Sequence, residues 1–202
     1  MVEDHLILGI AWILFGLFHS VFASIGFKAW LSKKIKSSFI YFRLYYTLFA
    51  LVSFIAILWY QLNIKSPYVF QRTTLTLAAG MFVGFAGLVI MMICIRKYFG
   101  QLSGLKTLFI DEVQTGNQLI ITGIHKHVRH PLYLGTFTFI WGLFIFFPEA
   151  SLLISNFVIT VYTLIGIRFE EEKLVREFGQ SYIEYKKSVP KIIPSFKPSS
   201  AN

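Results

Sequence analysis

The sequence predicts an all-α integral membrane protein, and three observations carry that prediction. Of its 202 residues 55% are hydrophobic and only 14% charged, and the mean hydropathy of +0.64 exceeds what a soluble domain of this size shows. Apolar runs long enough to cross a bilayer recur along the chain. Lys and Arg are gathered into the segments between alternate runs, the charge asymmetry of a multi-pass protein.

Taken in order, the spans are 5–24, 44–62 and 73–95, none of which contains Lys, Arg, Asp or Glu. Two shorter runs follow, 132–147 and 150–167, with only Pro148 and Glu149 between them. Proline there stops a helix, so the pair reads as a short helical hairpin and the total as five transmembrane helices. After the fifth run, Leu174, Phe178, Tyr182 and Tyr185 are spaced by 4, 4 and 3 and form one stripe of a cytoplasmic amphipathic tail helix, which Pro190 and Pro194 end. Gly80, Gly84 and Gly87 in the third span predict a close helix–helix contact.

Of the 19 Lys and Arg, 17 fall in the segments after spans one, three and five. Only Lys65 and Arg72 fall on the other side, and Glu3 and Asp4 precede the first span. This places the amino terminus outside and the carboxyl terminus in the cytoplasm. The first span is too long for a signal-peptide core and has no basic segment before it, so it is read as retained. A net charge of +9 with basic residues beside the span ends points to anionic membrane lipids, not nucleic acid, because no soluble domain is present to read bases. The single cysteine, Cys94, excludes a disulfide framework within the chain and is read as a packing residue.

Residues 1–95 are a three-helix scaffold with few polar groups; residues 96–202 carry the chemistry as one integrated region. One polar residue in the scaffold stands out. His19, near the cytoplasmic end of the first span, either lines a substrate cavity or hydrogen-bonds a neighbouring helix, and both readings stay open.

In the second half ionisable groups concentrate in ITGIHKHVRHPLYLG, residues 121–135. A metal site is one reading, but His125, His127 and His130 are spaced by 2 and 3 and do not share a helical face, and no second histidine cluster exists. No metal is assigned. Interfacial snorkelling ahead of Pro131 accounts for Lys126 and His127. It leaves unexplained the carboxylates Glu170, Glu171 and Glu172 at the return of the hairpin, which would bring Glu170 and Glu171 near Arg129 and His130. The third reading is therefore a pocket for an amphoteric ligand. Backbone N–H groups at the helix start and Arg129 attract a carboxylate, a glutamate holds an ammonium, and Tyr133 offers a ring.

The stretch NQLIITGIHKHVRHPLYLG followed by RFEEEKLVREFGQSYIEYKKSVPKIIP resembles the carboxyl-terminal half of the isoprenylcysteine carboxyl methyltransferase family and its relatives among phospholipid and methanethiol methyltransferases. The resemblance covers about residues 115–195, and its parts are ordered: Arg-His-Pro-x-Tyr-x-Gly, then Glu-Glu-x-x-Leu, Phe-Gly-x-x-Tyr-x-x-Tyr and Val-Pro-x-x-x-Pro. HSVFAS at 19–24 is similar to a feature of some bacterial members, which implies a prokaryotic cell membrane.

The resemblance implies S-adenosyl-L-methionine-dependent methyl transfer at the membrane. Its cofactor-binding stretch falls on Asn117, Gln118, Leu119 and Ile120, and an aromatic position falls on His125. The central motif falls on His130, Pro131, Leu132 and Tyr133, and the glutamate pair on Glu170 and Glu171. Gly166 stands where the prenylcysteine enzyme has a substrate-contacting arginine, with Arg168 close by, so that enzyme's substrate is not carried over.

In-line displacement at a sulfonium needs alignment more than acid or base groups, and alignment alone is worth about 7–11 kcal/mol. A thiol acceptor would gain from a cation such as Arg129 or a histidine, and Arg129 and Arg168 are the catalytic candidates; carboxylates and lipid amines are the other acceptor classes. The acceptor enters from lipid, and the oligomeric state stays open. Two alternatives remain: an NADPH-dependent membrane reductase of the sterol reductase type, and a non-catalytic membrane scaffold.

Overall fold

The computed structural model describes residues 1–35, 39, 41–102, 119 and 121–194. Among them every regular element is a helix: α1 (Val2–Ala23), α2 (Ile25–Ile35), α3 (Phe42–Asn63), α4 (Thr74–Leu102), α5 (Pro131–Phe146), α6 (Ala150–Phe178) and α7 (Gln180–Ser188), with a 3₁₀ turn at Gly123–Lys126 before α5. Four of them, α1, α3, α4 and α6, contain stretches long and apolar enough to cross a membrane. The run expected to form the fourth span folds as the 16-residue α5. At 1.5 Å per residue that is about 24 Å, against a hydrocarbon core of about 30 Å.

Two further differences from the sequence reading have local causes. The link after the first span contains α2, which was not anticipated. Ser24 turns extended (φ −66°, ψ 143°), and its hydroxyl accepts from the Phe27 N–H, so α2 restarts with its own cap. The tail is not one helix. Arg168 to Arg176 simply prolong α6, and the break comes at Gly179, whose φ of +57° a residue with a side chain rarely adopts. The expected stripe still closes on itself across the break, since Leu174 and Phe178 pack on Tyr182, Tyr185 and Val189.

The chain divides into two compact units. The first, Met1–Gln71 with Phe147–Tyr162, centres on Leu8, Trp12 and Ile57. Polar side chains tie it together: Trp12 Nε1 donates to Ser155 Oγ (2.8 Å), and that hydroxyl donates to Gln61 Oε1 (2.6 Å), linking α1, α6 and α3. The Tyr162 ring lies against Gly16, and its hydroxyl meets Ser20 Oγ at 3.0 Å. His19 hydrogen-bonds Tyr46 OH on α3 (2.8 Å), which is the interhelical one of its two readings.

The second unit, Arg72–Phe146 with Thr163–Asn202, is organised by the α4–α5 pair. These helices run antiparallel with backbones in contact: Gly80 lies against Phe146, Gly84 against Gly142, Gly87 against Phe139, and Gly135 against Ile90 and Met91. A Cβ on Gly80 would lie 2.5 Å from the Phe146 nitrogen, and one on Gly87 or Gly142 would collide with backbone of the facing helix. At Gly84 the nearest atom would be 3.9 Å away, an ordinary contact. Gly87→Ala and Gly142→Ala are therefore expected to destabilise the detergent-solubilised protein by about 1–3 kcal/mol, as overpacking does. Gly84→Ala should be near neutral. Thermal unfolding of the three variants checks this, and equal effects at all three positions would contradict the close backbone contact.

Candidate functional site

The site grows from the three residues ahead of α5. Gly123, at φ +67°, opens the tight turn Gly123–Lys126, and Val128 to His130 lead from it to Pro131, whose missing N–H costs nothing in the first turn of a helix. Two backbone hydrogen bonds anchor this segment to the region after α7: Arg129 N–H donates to Pro190 C=O (2.9 Å) and His130 N–H to Lys191 C=O (3.1 Å). The Val-Pro segment thus does more than end a helix; it is the edge along which residues 129 and 130 are held.

At the centre is Glu171, only 4% exposed. A carboxylate so placed requires partners. Its Oε1 takes Arg129 Nε (2.8 Å), Arg129 Nη2 (2.7 Å) and His130 Nε2 (3.2 Å), and its Oε2 takes Lys186 Nζ (3.1 Å). The remaining Arg129 nitrogen, Nη1, donates to the carbonyls of Lys186 (2.9 Å) and Val189 (2.5 Å). All three guanidinium nitrogens are thereby committed, so Arg129 clamps α5, α6 and α7 together. It does not stand free to meet a methyl acceptor.

Glu170, one residue earlier, is 45% exposed on its side chain and accepts from Tyr133 OH (3.1 Å). His130 lies between the two carboxylates, 6% exposed and with its ring 5.7 Å from that of Tyr133. Burial pulls its pKa below the ordinary imidazole value, against the opposing pull of Glu170 and Glu171. With Nε2–H donating to Glu171, the lone pair of Nδ1 faces Glu170 Oε2 at 3.9 Å. Two acceptors at that separation can share one donor between them.

Of the other expected residues, Pro131 is buried and Leu132 half-buried in the first turn of α5. His125 Nδ1 meets the Arg129 carbonyl (3.2 Å), and its own carbonyl accepts from Tyr185 OH (2.7 Å). Leu119 packs against Tyr182, Tyr185 and Val189. Asn117, Gln118 and Ile120 lie outside the described residues. Arg168 does not join the group. It follows Ile167 on α6, is 80% exposed, reaches Glu172 at 3.7 Å, and leaves the helix about 200° round from Glu170.

The structure adds residues that the sequence reading left without a role. Lys186 completes the Glu171 cage, and Tyr182 lies 2% exposed with a hydroxyl that has no hydrogen-bond partner among the described residues. Burial and the nearby Glu171 push the Tyr182 phenol far above its ordinary pKa, so it stays a donor. Both residues sit within the Phe-Gly-x-x-Tyr-x-x-Tyr and Lys-Lys stretch, and the motif itself was the available signal.

Known proteins bear on this geometry. A family model described as phospholipid methyltransferase matches residues 75–181, which takes in α5, both glutamates and Tyr133. A methanethiol S-methyltransferase of Bradyrhizobium diazoefficiens is 31% identical over 191 residues, covering 90% of this chain and 64% of that protein. One from Crocosphaera subtropica is 30% identical over 187 residues, covering 90% and 71%. A protein-S-isoprenylcysteine O-methyltransferase of Schizosaccharomyces pombe is 40% identical over 84 residues, 38% of this chain and 33% of that protein. No solved structure matches significantly.

Two outcomes follow from the cage. Arg129→Ala leaves Glu171 short of its main partner and should cost about 3–5 kcal/mol in unfolding free energy, the loss expected when one member of a buried pair is removed; denaturant titration in detergent measures it. Because His130 has a lowered pKa, the unfolded chain binds more protons below its ordinary value, so stability should be complete above about pH 6.5 and fall as pH drops below it. His130→Asn should flatten that part of the stability–pH curve, and an unchanged slope would show that His130 does not cause it.

Proposed function

The chain belongs to the phospholipid methyltransferase family, and from that premise we propose that it is an integral membrane methyltransferase using S-adenosyl-L-methionine. The observation that carries the cofactor assignment is the pair of acceptors formed by Glu170 Oε2 and His130 Nδ1, 3.9 Å apart, with Tyr133 OH orienting the carboxylate. An ammonium has three donors and a positive charge, and this site offers two acceptors and a negative one.

Three further features fit the same ligand. The first turn of α5 leaves N–H groups without intrahelical partners, which favours a carboxylate there. The Tyr182 hydroxyl is a buried donor in need of an acceptor. Leu119 and Phe178, half-buried beside Tyr182 and Tyr185, supply an apolar flank that suits a purine body. When bound, the cofactor supplies an electrophilic methyl group. The chain's own residues bind and align it: Glu170 and His130 hold the ammonium end, Tyr133 keeps Glu170 oriented, and Glu171 with Arg129 and Lys186 keeps the two helices and the Val-Pro segment in register. Alignment is the principal requirement of such a displacement.

A thiol is the acceptor class best supported, because proteins similar to nine-tenths of this chain are methanethiol S-methyltransferases, whereas the prenylcysteine likeness covers 38%. In this reading α5, paired with α4, is the fifth membrane helix, the amino terminus is outside, and the carboxyl-terminal site is cytoplasmic, the arrangement that the distribution of Lys and Arg favours. A small apolar thiol would reach the site from the lipid side.

Calorimetric titration of the detergent-solubilised chain with S-adenosylhomocysteine, and with NADPH in parallel, tests the reading. Saturable binding of the first alone is expected, weakened about tenfold or more by Glu170→Gln, as for a lost hydrogen bond to a charged group. Binding of NADPH alone would assign a reductase instead, and undiminished binding by Glu170→Gln would remove Glu170 from the site.

A further inference from the structure

The polar end of α6 has two opposite sides, and only one faces His130 and Tyr133. On the other side is a cleft of about 550 Å³, into which Arg168, Arg176, Lys186 and Lys191 converge from α6, α7 and the segment after it. Its carboxylates are Glu171 and Glu172. These do not balance the cations. Glu171 is already matched from outside the cleft by Arg129, and Glu172 takes Arg168 at 3.7 Å. Arg176 Nε donates to the Glu172 carbonyl, and neither Arg176 nor Lys191 has an ion pair among the described residues. An excess of positive charge is therefore concentrated in a concave site.

Glu171 is the partition. Its Oε1 faces Arg129 and His130 while its Oε2 holds Lys186, which lines the cleft. Glu170 leaves the helix about 200° from Arg168, so the acceptors assigned to the ammonium lie on the far side. A sulfonium ligand is cationic and would be repelled by the cleft; an anion would be drawn in. The level of the cleft identifies the source of that anion. Arg168 directly follows Ile167, the last residue of the apolar run 150–167, which sets it at the boundary between hydrocarbon and headgroups.

We propose that this cleft binds the phosphate of an anionic phospholipid headgroup, as a docked lipid that is neither methyl donor nor methyl acceptor. Arg176 and Lys191 supply the uncommitted charge, and Arg168 and Lys186 flank it.

The test uses the full chain in a neutral detergent, titrated with dihexanoylphosphatidylglycerol, dihexanoylphosphatidylcholine and inorganic phosphate, with the thermal unfolding midpoint as readout. Phosphatidylglycerol is expected to raise the midpoint saturably and the choline lipid not to. The double variant Arg176→Gln/Lys191→Gln should weaken that response about tenfold or more, in keeping with two cations near an anionic headgroup. Lys187→Gln, an exposed lysine outside the cleft, should leave it unchanged. Both variants should bind S-adenosylhomocysteine as the parent does, which separates this proposal from the assignment of the methyl donor. Equal responses to the two lipids, an unaffected double variant, or an equal loss in Lys187→Gln would overturn the proposal. So would inorganic phosphate acting at the same concentration as the lipid, which would make the ligand free phosphate, and so would displacement of S-adenosylhomocysteine by phosphatidylglycerol, which would make the cleft part of the donor site.

Discussion

One buried charge organises the carboxyl-terminal half of this protein. Glu171 is closed off from solvent on a helix that has just left an apolar run, and an unpaired carboxylate there would cost several kcal/mol. The structure offsets that cost with three partners: Arg129 and His130 ahead of α5, and Lys186 on α7. Each partner is then positioned by its own constraints. Arg129 also reaches two carbonyls at the end of α7, and residues 129 and 130 bond through their backbones to Pro190 and Lys191. Ordering one carboxylate thus orders the entry to α5, the end of α6 and the chain that follows α7.

The adjacent glutamates divide their tasks because a helix turns by about 100° per residue. Glu171 is enclosed and satisfied, which suits structure; Glu170 is half exposed and held by a single tyrosine hydroxyl, which suits a ligand. The lowered pKa of His130 keeps its ring neutral near neutral pH, so that one nitrogen serves Glu171 and the other remains an acceptor. The packing of α4 on α5 supports this arrangement from the membrane side. Glycines bring the two backbones into contact over a stretch from Gly80 to Met91, and this holds the helix that follows directly on His130 and carries Pro131 and Tyr133 in its first turn.

Much of the site was legible in the sequence because its parts are local and ordered. The run Arg-His-Pro-x-Tyr marks a helix start with titratable groups beside it, and the triple glutamate marks the far end of an apolar run of membrane length. Their meeting followed from the chain's return to the same side. What escaped was the division of labour. Nothing in Arg129 as a letter tells whether its guanidinium is free or consumed, and the choice depends on whether two carbonyls 57 and 60 residues away come within reach. Lys186, Tyr182 and the Val-Pro segment were read only as parts of a motif or a helix stop, since backbone partners leave no compositional trace. The break at Gly179 was hidden for a different reason: a stripe spaced by 4, 4 and 3 stays on one side even when the helix restarts.

The sequence by itself determined that this is a helical membrane chain, where its apolar runs lie, and that Arg129 and His130 would come close to Glu170 and Glu171, because hydropathy, periodicity and charge distribution are properties of neighbours along the chain. Only the tertiary structure decided which helix the glycines of α4 accept, which arginine is a clamp, and which glutamate remains available. Those outcomes depend on distances between residues remote in sequence, and on a rotation of about 100° between Glu170 and Glu171 whose meaning is set by what lies on each side of the helix.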